Sequence, residues 1–521
     1  MRKTSLLALA LSLPPLTAQW APTAGQWGKS QPSDLRVMTY NVRDTLCSSN
    51  TKNSATNNWA ALARIVALLQ PDVLILQECG DNSGNGSGNN ADTVAQLTTT
   101  IGMWLHGGTD TFRNNATITS YVQAFAPGYD LPQIFVSTIS DGFNRNVILS
   151  RFPFLDLNGD GRATMSDIPT ITADLWSIGG NGGIRGFMTA EIDLPNATYA
   201  GNIVVGNSHL KSGGTTSDHT QRVTAAQNIA YYTQYFWNGA GGTVADPRGR
   251  IADSPAASLV LDNNTSFVTG GDWNEDPNGN GGVPGPVEWI TRAQVADSAN
   301  GTDGPDRNGT DMTYGDARDP FTGSEVTYPN GSFHDDFIAA QDSIASVRRA
   351  FLFASNTITP ATAMPTSLLG FAPGAALASG TCSDHLPVIL DFILPAPIAC
   401  NAAGTDLGFA KLASNNRYPR FGACGSLANG GHGALQLADC PPNSFVFAGL
   451  SGSRSILNLY GATIVPAAPA LIGPFLLDAN GTFSLPVPGG GAALYMQWAL
   501  LDPAASFGLG FSNALRLNFT P

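Results

Sequence analysis

The sequence predicts a mixed α/β domain followed by an all-β domain, and three observations carry that prediction. Apolar runs of strand length recur between residues 35 and 394 and end in Asn, Glu, His or Asp, with helix-period segments among them. Gly (58) and Pro (34) are abundant while charged residues are only 12%, a composition that suits loop-rich β structure better than a helical bundle. After Pro395-Ala396-Pro397 the charges thin out, and short apolar runs punctuated by Gly and Pro continue to the end, reading as a β-sandwich over residues 398–521.

A chain of 521 residues can give each of two domains a sizeable core. The formal charge of −13 excludes a protein that coats nucleic acid through a broad basic face, which needs clustered Lys and Arg. It leaves room for an enzyme that handles a few phosphates locally. Arg2-Lys3, the apolar run from Leu6 to Leu16 and then Thr17-Ala18 have the layout of a secretory signal peptide over residues 1–18. The run is too short to span a bilayer, and no other stretch reads as a span, so the expected location is extracellular or at the cell surface. In that setting the six cysteines can pair, with at least one bridge expected among Cys400, Cys424 and Cys440; no CxxC pair suggests zinc.

In chain order, Leu35 to Val42 (LRVMTYNV) reads as a strand carrying Asn41 near its end. Asn57 and Asn58 are good caps for a helix whose Leu62, Ile65, Val66 and Leu69 keep a helical period, stopped by Pro71. Val73 to Leu76 is a continuous apolar run, hence a strand covered on both faces, and delivers Glu78 at its end, either as a solvent rim residue or as a ligand. Residues 80–90 are low-complexity and read as a surface loop. Asn146 to Pro153 (NVILSRFP) holds a further short strand, with Arg145 before it and Arg151 following it.

Residues 156–167 (DLNGDGRATMSD) have calcium-loop spacing. Asp156, Asn158, Asp160 and Asp167 stand at positions 1, 3, 5 and 12, Gly161 at position 6, and Arg162 at position 7, where the backbone carbonyl ligates. The segment is similar to the calcium loop of dockerin repeats, in a single copy, and is expected to act as a structural Ca²⁺ clip. Asp167 stands where Glu is usual.

Ile203 to Lys211 (IVVGNSHLK) ends in Asn207, His209 and Lys211, and a helix is expected from about His219 to Trp237, presenting Arg222. Phe267 to Pro277 (FVTGGDWNEDP) reads as a buried strand left through Gly270-Gly271, presenting Asp272 and Asn274 together. Such oxygen donors suit hard cations or a phosphate, although Asp-x-Asn alone is also a common turn. His334-Asp335-Asp336-Phe337-Ile338 and Ser383-Asp384-His385-Leu386-Pro387 follow, the latter leading into the apolar run Val388 to Leu394.

Six motifs in this order, TYNV, LQE, NSHLKS, GGDWN, DDFI and SDHLPV, resemble the endonuclease/exonuclease/phosphatase superfamily, across about Leu35 to Leu394. The resemblance implies a DNase I-like, four-layer α/β/β/α sandwich over residues 34–395, with the site at one end of two packed sheets. It implies that Glu78 and Asp384, helped by Asn41, bind catalytic Mg²⁺ or Mn²⁺. Asp272 and Asn274 would hold either a second metal or the attacking water and scissile phosphate. His385, oriented by Asp336, would be the base or transition-state stabiliser, and His209 would meet phosphate or the leaving group. Asp336 matches the family position better than Asp335 because Phe337-Ile338 follows it. Arg145, Arg151 and Lys211 are candidate phosphate contacts, although Asn144-Arg145-Asn146 departs from the Gly-rich approach common in relatives.

The function so implied is a secreted metal-dependent phosphodiesterase, foremost an endonuclease with nucleic acid as substrate and no obligate protein partner. Sphingomyelinase-like lipid hydrolysis, or an inactive calcium-stabilised binding protein, are the alternatives. Residues 398–521 contain no acidic cluster, and His432, between glycines, is expected in a loop of an accessory module.

Overall fold

The computed structural model describes residues 20–81, 91–140, 142–155, 165–168, 187–238, 264–279, 284–292, 312–342, 344–397, 403–415 and 417–520. Its first part is built on two six-stranded sheets. We label their strands β1 (Leu35–Asn41), β2 (Val73–Cys79), β3 (Gln133–Val136), β4 (Arg145–Ser150), β5 (Met165–Ile168), β6 (Phe187–Ile192), β7 (Ile203–His209), β8 (Ser266–Asp272), β9 (Met312–Tyr314), β10 (Asp336–Gln341), β11 (Ser346–Leu352) and β12 (Val388–Ile393). One sheet runs β11-β12-β1-β2-β4-β3 and the other β9-β10-β8-β7-β6-β5. Only β1/β2 and β7/β8 are parallel pairs, and the rest are antiparallel.

The alternation of side chains along each strand explains why these runs are apolar without interruption. In β1, Leu35 and Val37 enter a core shared with Val205, Val268 and Ile338 of the other sheet. Met38 and Tyr40 enter a second core with helices α1 (Asn58–Leu69) and α2 (Val94–His106). A third core joins Phe267 and Phe337 to Ala225 and Ile229 of α3 (Thr216–Asn238) and Ile290 of α4 (Pro286–Arg292). Strands buried on both faces have no position for a solvating side chain.

Asn57 caps α1 by accepting from the Ala60 N–H, and the helix ends at Leu69, where Gln70 turns left-handed (φ 45°) before Pro71. Helix α2, in a stretch rich in Thr and Asn, carries a complete capping box between Thr93 and Gln96. Gly270 and Gly271 lie inside β8 rather than beyond it, which corrects the expected exit. A Cβ on Gly271 (φ 150°) would stand 1.8 Å from the Ser208 carbonyl oxygen of neighbouring β7, so the close approach of two backbones requires glycine there. Buried Arg36 on β1 makes a bidentate pair with Asp391 on β12, at 2.6 and 2.9 Å, and donates to the Trp27 and Leu69 carbonyls.

Residues 403–520 contain strands and one 3₁₀ turn and no α-helix among the described residues. One sheet follows the path Gly404–Gly408, Ala514–Leu517, Leu494–Leu501, Phe445–Ser451, Ala470–Leu476, with Leu509–Phe511 paired alongside; a three-stranded sheet holds Arg420–Gly425, His432–Ala438 and Phe483–Pro488. His432 opens a strand instead of lying in a loop. Trp498 at the centre meets Phe421, Phe475 and Phe483 edge-on. Cys424 is disulfide-bonded, whereas Cys47, Cys79, Cys382 and Cys440 are buried thiols. Of the calcium-loop residues, Asp156, Asn158, Asp160 and Arg162 lie outside the described residues, and the Asp167 backbone lies on β5 opposite Met188. No described helix is long and apolar enough to cross a membrane.

Candidate active site

Strand register brings three of the predicted residues into one row. Parallel pairing sets His209 of β7 opposite Asp272 of β8, and antiparallel pairing sets Asp272 opposite Asp336 of β10. From the other sheet, Asn41 at the end of β1 reaches across, its Nδ2 donating to Asp272 Oδ2 at 2.9 Å. At the end of β2 the pairing with β4 slips between Leu76 and Cys79, a bulge that holds Glu78 at φ 57° and turns its side chain away from the ladder. Asn274 (φ 56°) is likewise left-handed, and such non-glycine strain concentrates where a side chain must be aimed.

His385 completes the cluster from the turn before β12. Its Nδ1 donates to Asp336 Oδ2 at 2.8 Å, its Nε2 stands 3.7 Å from Asp272 Oδ2, and its ring leans on Tyr328 at 4.9 Å between centroids. His209 Nε2 approaches the same Asp272 oxygen at 3.4 Å and Glu78 Oε1 at 3.8 Å. One buried carboxylate thus lies between two imidazoles. Its other oxygen accepts the Asn274 backbone N–H at 2.9 Å.

Burial sets the protonation of this row. Desolvation pushes Asp272 up to about 8, with Asp336 and Asp335 adding to the rise and His385 and Asn41 opposing it. Burial alone would lower His385, but Asp336 and Asp272 beside it outweigh that and hold its imidazolium well above the usual histidine range. Asp335, burial first and Asp336 second, is pushed up to about 7. Of the adjacent acids, Asp336 touches His385, while Asp335 faces the cleft.

Two oxygen sets here could hold a cation. Asp272, Asp336 and His385 lie close enough to share an ion, with His385 Nδ1 already bonded to Asp336. Glu78 and Asp384 are more open, with side chains 23% and 17% exposed to the cleft. Their hard oxygens suit a divalent ion, and the Arg43 guanidinium already stands as a cation 3.1 Å from Asp384. Asn41 spends Oδ1 on the Arg43 backbone N–H and Nδ2 on Asp272, so it braces the row.

The cationic candidates are placed differently. Arg151 sits at the far end of β4, bonded to Asp72 at 2.7 Å, away from the site; β4 runs antiparallel to β2, so its last residues point to the opposite edge. Arg145 lies at the near end, but its guanidinium donates to the Asp92, Ser137 and Thr138 carbonyls. Lys211 donates to the Ser212 carbonyl and pairs with Asp218 at 3.3 Å. The cationic group on the cleft wall that sequence reasoning missed is Arg43, two residues after Asn41. Sequence reasoning also passed over Tyr328 and Glu275, which lie on loops without a periodic signal, and over His219 in the first turn of α3, whose partner Glu275 lies far away in the chain.

These side chains line a cleft of about 1060 Å³. No family model matches the chain, and no curated protein matches it. Among solved structures it is similar to the human Nocturnin catalytic domain with bound sulfate anion, at 13% identity over 70% of this chain and 96% of that one, with a TM-score of 0.36. It is also similar to an endonuclease/exonuclease/phosphatase family protein from Leptotrichia buccalis, at 12% identity over 69% and 100% of the two chains and a TM-score of 0.36. A third likeness is to SmcL, at 11% identity over 70% and 100%, with a TM-score of 0.34.

Proposed function

We propose that the chain is a divalent-metal-dependent phosphodiesterase that hydrolyses extracellular nucleic acid. The observation that carries this reading is the buried Asp272 carboxylate flanked by His385 and His209, with Glu78 and Asp384 open to the same cleft. A phosphodiester is anionic, so its hydrolysis needs positive charge on the non-bridging oxygens, a group to take a proton from water and a group to return one to the leaving oxygen. Glu78 and Asp384 would hold Mg²⁺ or Mn²⁺, which supplies charge neutralisation at the phosphate.

The residues then divide the work. Asp272 in its carboxylate form accepts the proton as the water oxygen bonds to phosphorus, and because burial pushes its pKa up to about 8 this base form grows as pH rises toward that value. His385, kept as a cation by Asp336 and Asp272, hydrogen-bonds the oxygen on which charge grows. The P–O bond to the leaving alkoxide breaks, and His209 on the other side of Asp272 supplies its proton. Exposed Phe333, 51% accessible on the cleft rim, offers a face on which a base can stack.

The rest of the chain fits that role as part of the same proposal. Residues 1–18 act as an export signal, 34–395 form the four-layer catalytic domain, 156–167 bind structural Ca²⁺, and 398–521 form an accessory β-sandwich. The test is Mg²⁺-dependent hydrolysis of DNA and RNA beside sphingomyelin vesicles. Turnover of a nucleic acid well above that of the lipid is expected; turnover of the lipid alone would overturn the substrate assignment.

A further inference from the structure

The cleft contains a second carboxylate-braced imidazole that the chemistry above leaves unused. His219, in the first turn of α3, donates its Nδ1–H between both Glu275 oxygens, at 2.8 and 2.9 Å. Glu275 is buried, and its Oε2 also accepts Arg222 Nε at 2.5 Å. Arg222 in turn donates to the Lys211 and Gly213 carbonyls at 2.8 and 2.7 Å. The imidazole is therefore held at one nitrogen by a rigid mount that joins the loop after β7 to the loop after β8.

Its other nitrogen is open. His219 Nε2 makes no hydrogen bond or ion pair with any described residue, its side chain is 29% exposed, and it lines the same cleft as His385. Among the described residues, Glu275 is the one carboxylate within 4.0 Å of a His219 ring nitrogen. His219 thus makes no ion pair with Glu78, Asp272 or Asp384, around which the reacting phosphate sits on the reading above. The Arg222 and Glu275 charges cancel, so an imidazolium at His219 would leave one positive charge on a wall that also carries Arg43 and His385. At about 1060 Å³ the cleft is at the upper end of small-ligand sites, with room beyond a single phosphodiester.

On the phosphodiesterase reading, we infer that His219, braced by Glu275 and Arg222, binds the phosphate next to the scissile one, so that the substrate is a strand with flanking phosphates. Protonated Nε2 donates to a non-bridging oxygen, and the row runs Arg222 (+), Glu275 (−), His219 (+), phosphate (−). An isolated phosphodiester lacks the group that this imidazole meets.

Two measurements test it. The first compares kcat/KM on TpT, which has no flanking phosphate, with pTpTp, which has two. Wild type is expected to favour pTpTp at least tenfold, and His219→Gln to reduce that ratio about tenfold through KM, with His219→Lys restoring much of it. A ratio unchanged in His219→Gln, or equal losses on both substrates, would overturn the inference. The second uses fluorescein-labelled dT12 and anisotropy in Mg²⁺ with His385→Ala protein, so that binding is read without turnover. Adding His219→Gln should weaken binding about tenfold and lower the slope of log K against log salt by about 0.7, the loss of one single-strand phosphate contact. An unchanged slope would count against the contact whether or not hydrolysis is seen. Failure of wild type to hydrolyse either short substrate would instead strike the phosphodiesterase reading.

Discussion

Replacing Asp272 by Asn should stabilise the metal-free protein at alkaline pH while removing activity. An unfolded Asp loses its proton near 4, whereas the folded one, buried beside Asp336 and Asp335, keeps it to about 8. Between those values the native state holds one proton more than the unfolded state. Each rising pH unit therefore costs native stability about 1.4 kcal/mol, and the penalty is complete above pH 8. The ceiling is about 5 kcal/mol, reduced because His385 shares the proton. Asn also loses one acceptor, facing the Asn41 amide or the Asn274 N–H, at about 1–3 kcal/mol. A net gain of roughly 2 kcal/mol remains at pH 8, a rise in Tm of about 4 °C at most for a domain of this size. Calorimetry of both proteins in EDTA at pH 5 and pH 8 measures it. Stabilisation at pH 8 that vanishes or reverses at pH 5 is expected; an equal shift at both, or none at pH 8, would refute the assignment of a desolvated buried carboxylate with a raised pKa.

Further outcomes follow from other contacts. Glu78→Gln should raise the Mg²⁺ concentration for half-maximal hydrolysis by at least tenfold, and a metal titration showing no shift would remove Glu78 from the ligand set. Asp391→Asn leaves Arg36 buried without its bidentate partner and should cost about 3–5 kcal/mol in urea unfolding; a loss below about 1 kcal/mol would show the pair to be solvated. Calcium should raise the Tm of wild type but not of Asp160→Ala, and a calcium response retained in that variant would dispose of the structural clip.

Most strand positions could be read in advance because β1, β2, β7, β8, β10 and β12 are buried on both faces, and a short continuous apolar run between turn residues suits a strand covered on both sides. The residues at their ends were legible as polar interruptions of those runs. Which edge of the sheet each end reaches was not legible, because that depends on strand direction. Arg151 follows an antiparallel strand and lands opposite Glu78, beside Asp72. The glycines of β8 looked like an exit because a sequence does not reveal that the Ser208 carbonyl passes 1.8 Å from a would-be Cβ. Helix α2 had a readable capping box at Thr93–Gln96 that its polar surroundings obscured. The His219–Glu275 mount joins residues 56 positions apart and leaves no trace in spacing.

The central claim is that the row from Asp336 through His385 to Asp272 cleaves phosphodiesters, and the direct test is nicking of supercoiled plasmid by the purified protein. With Mg²⁺ or Mn²⁺ present, wild type should convert supercoiled to open-circular DNA. EDTA should stop it, and His385→Ala, folded by circular dichroism, should be slower by a factor of about 10² to 10⁴. Full nicking by His385→Ala, or nicking undiminished in EDTA, would contradict the account.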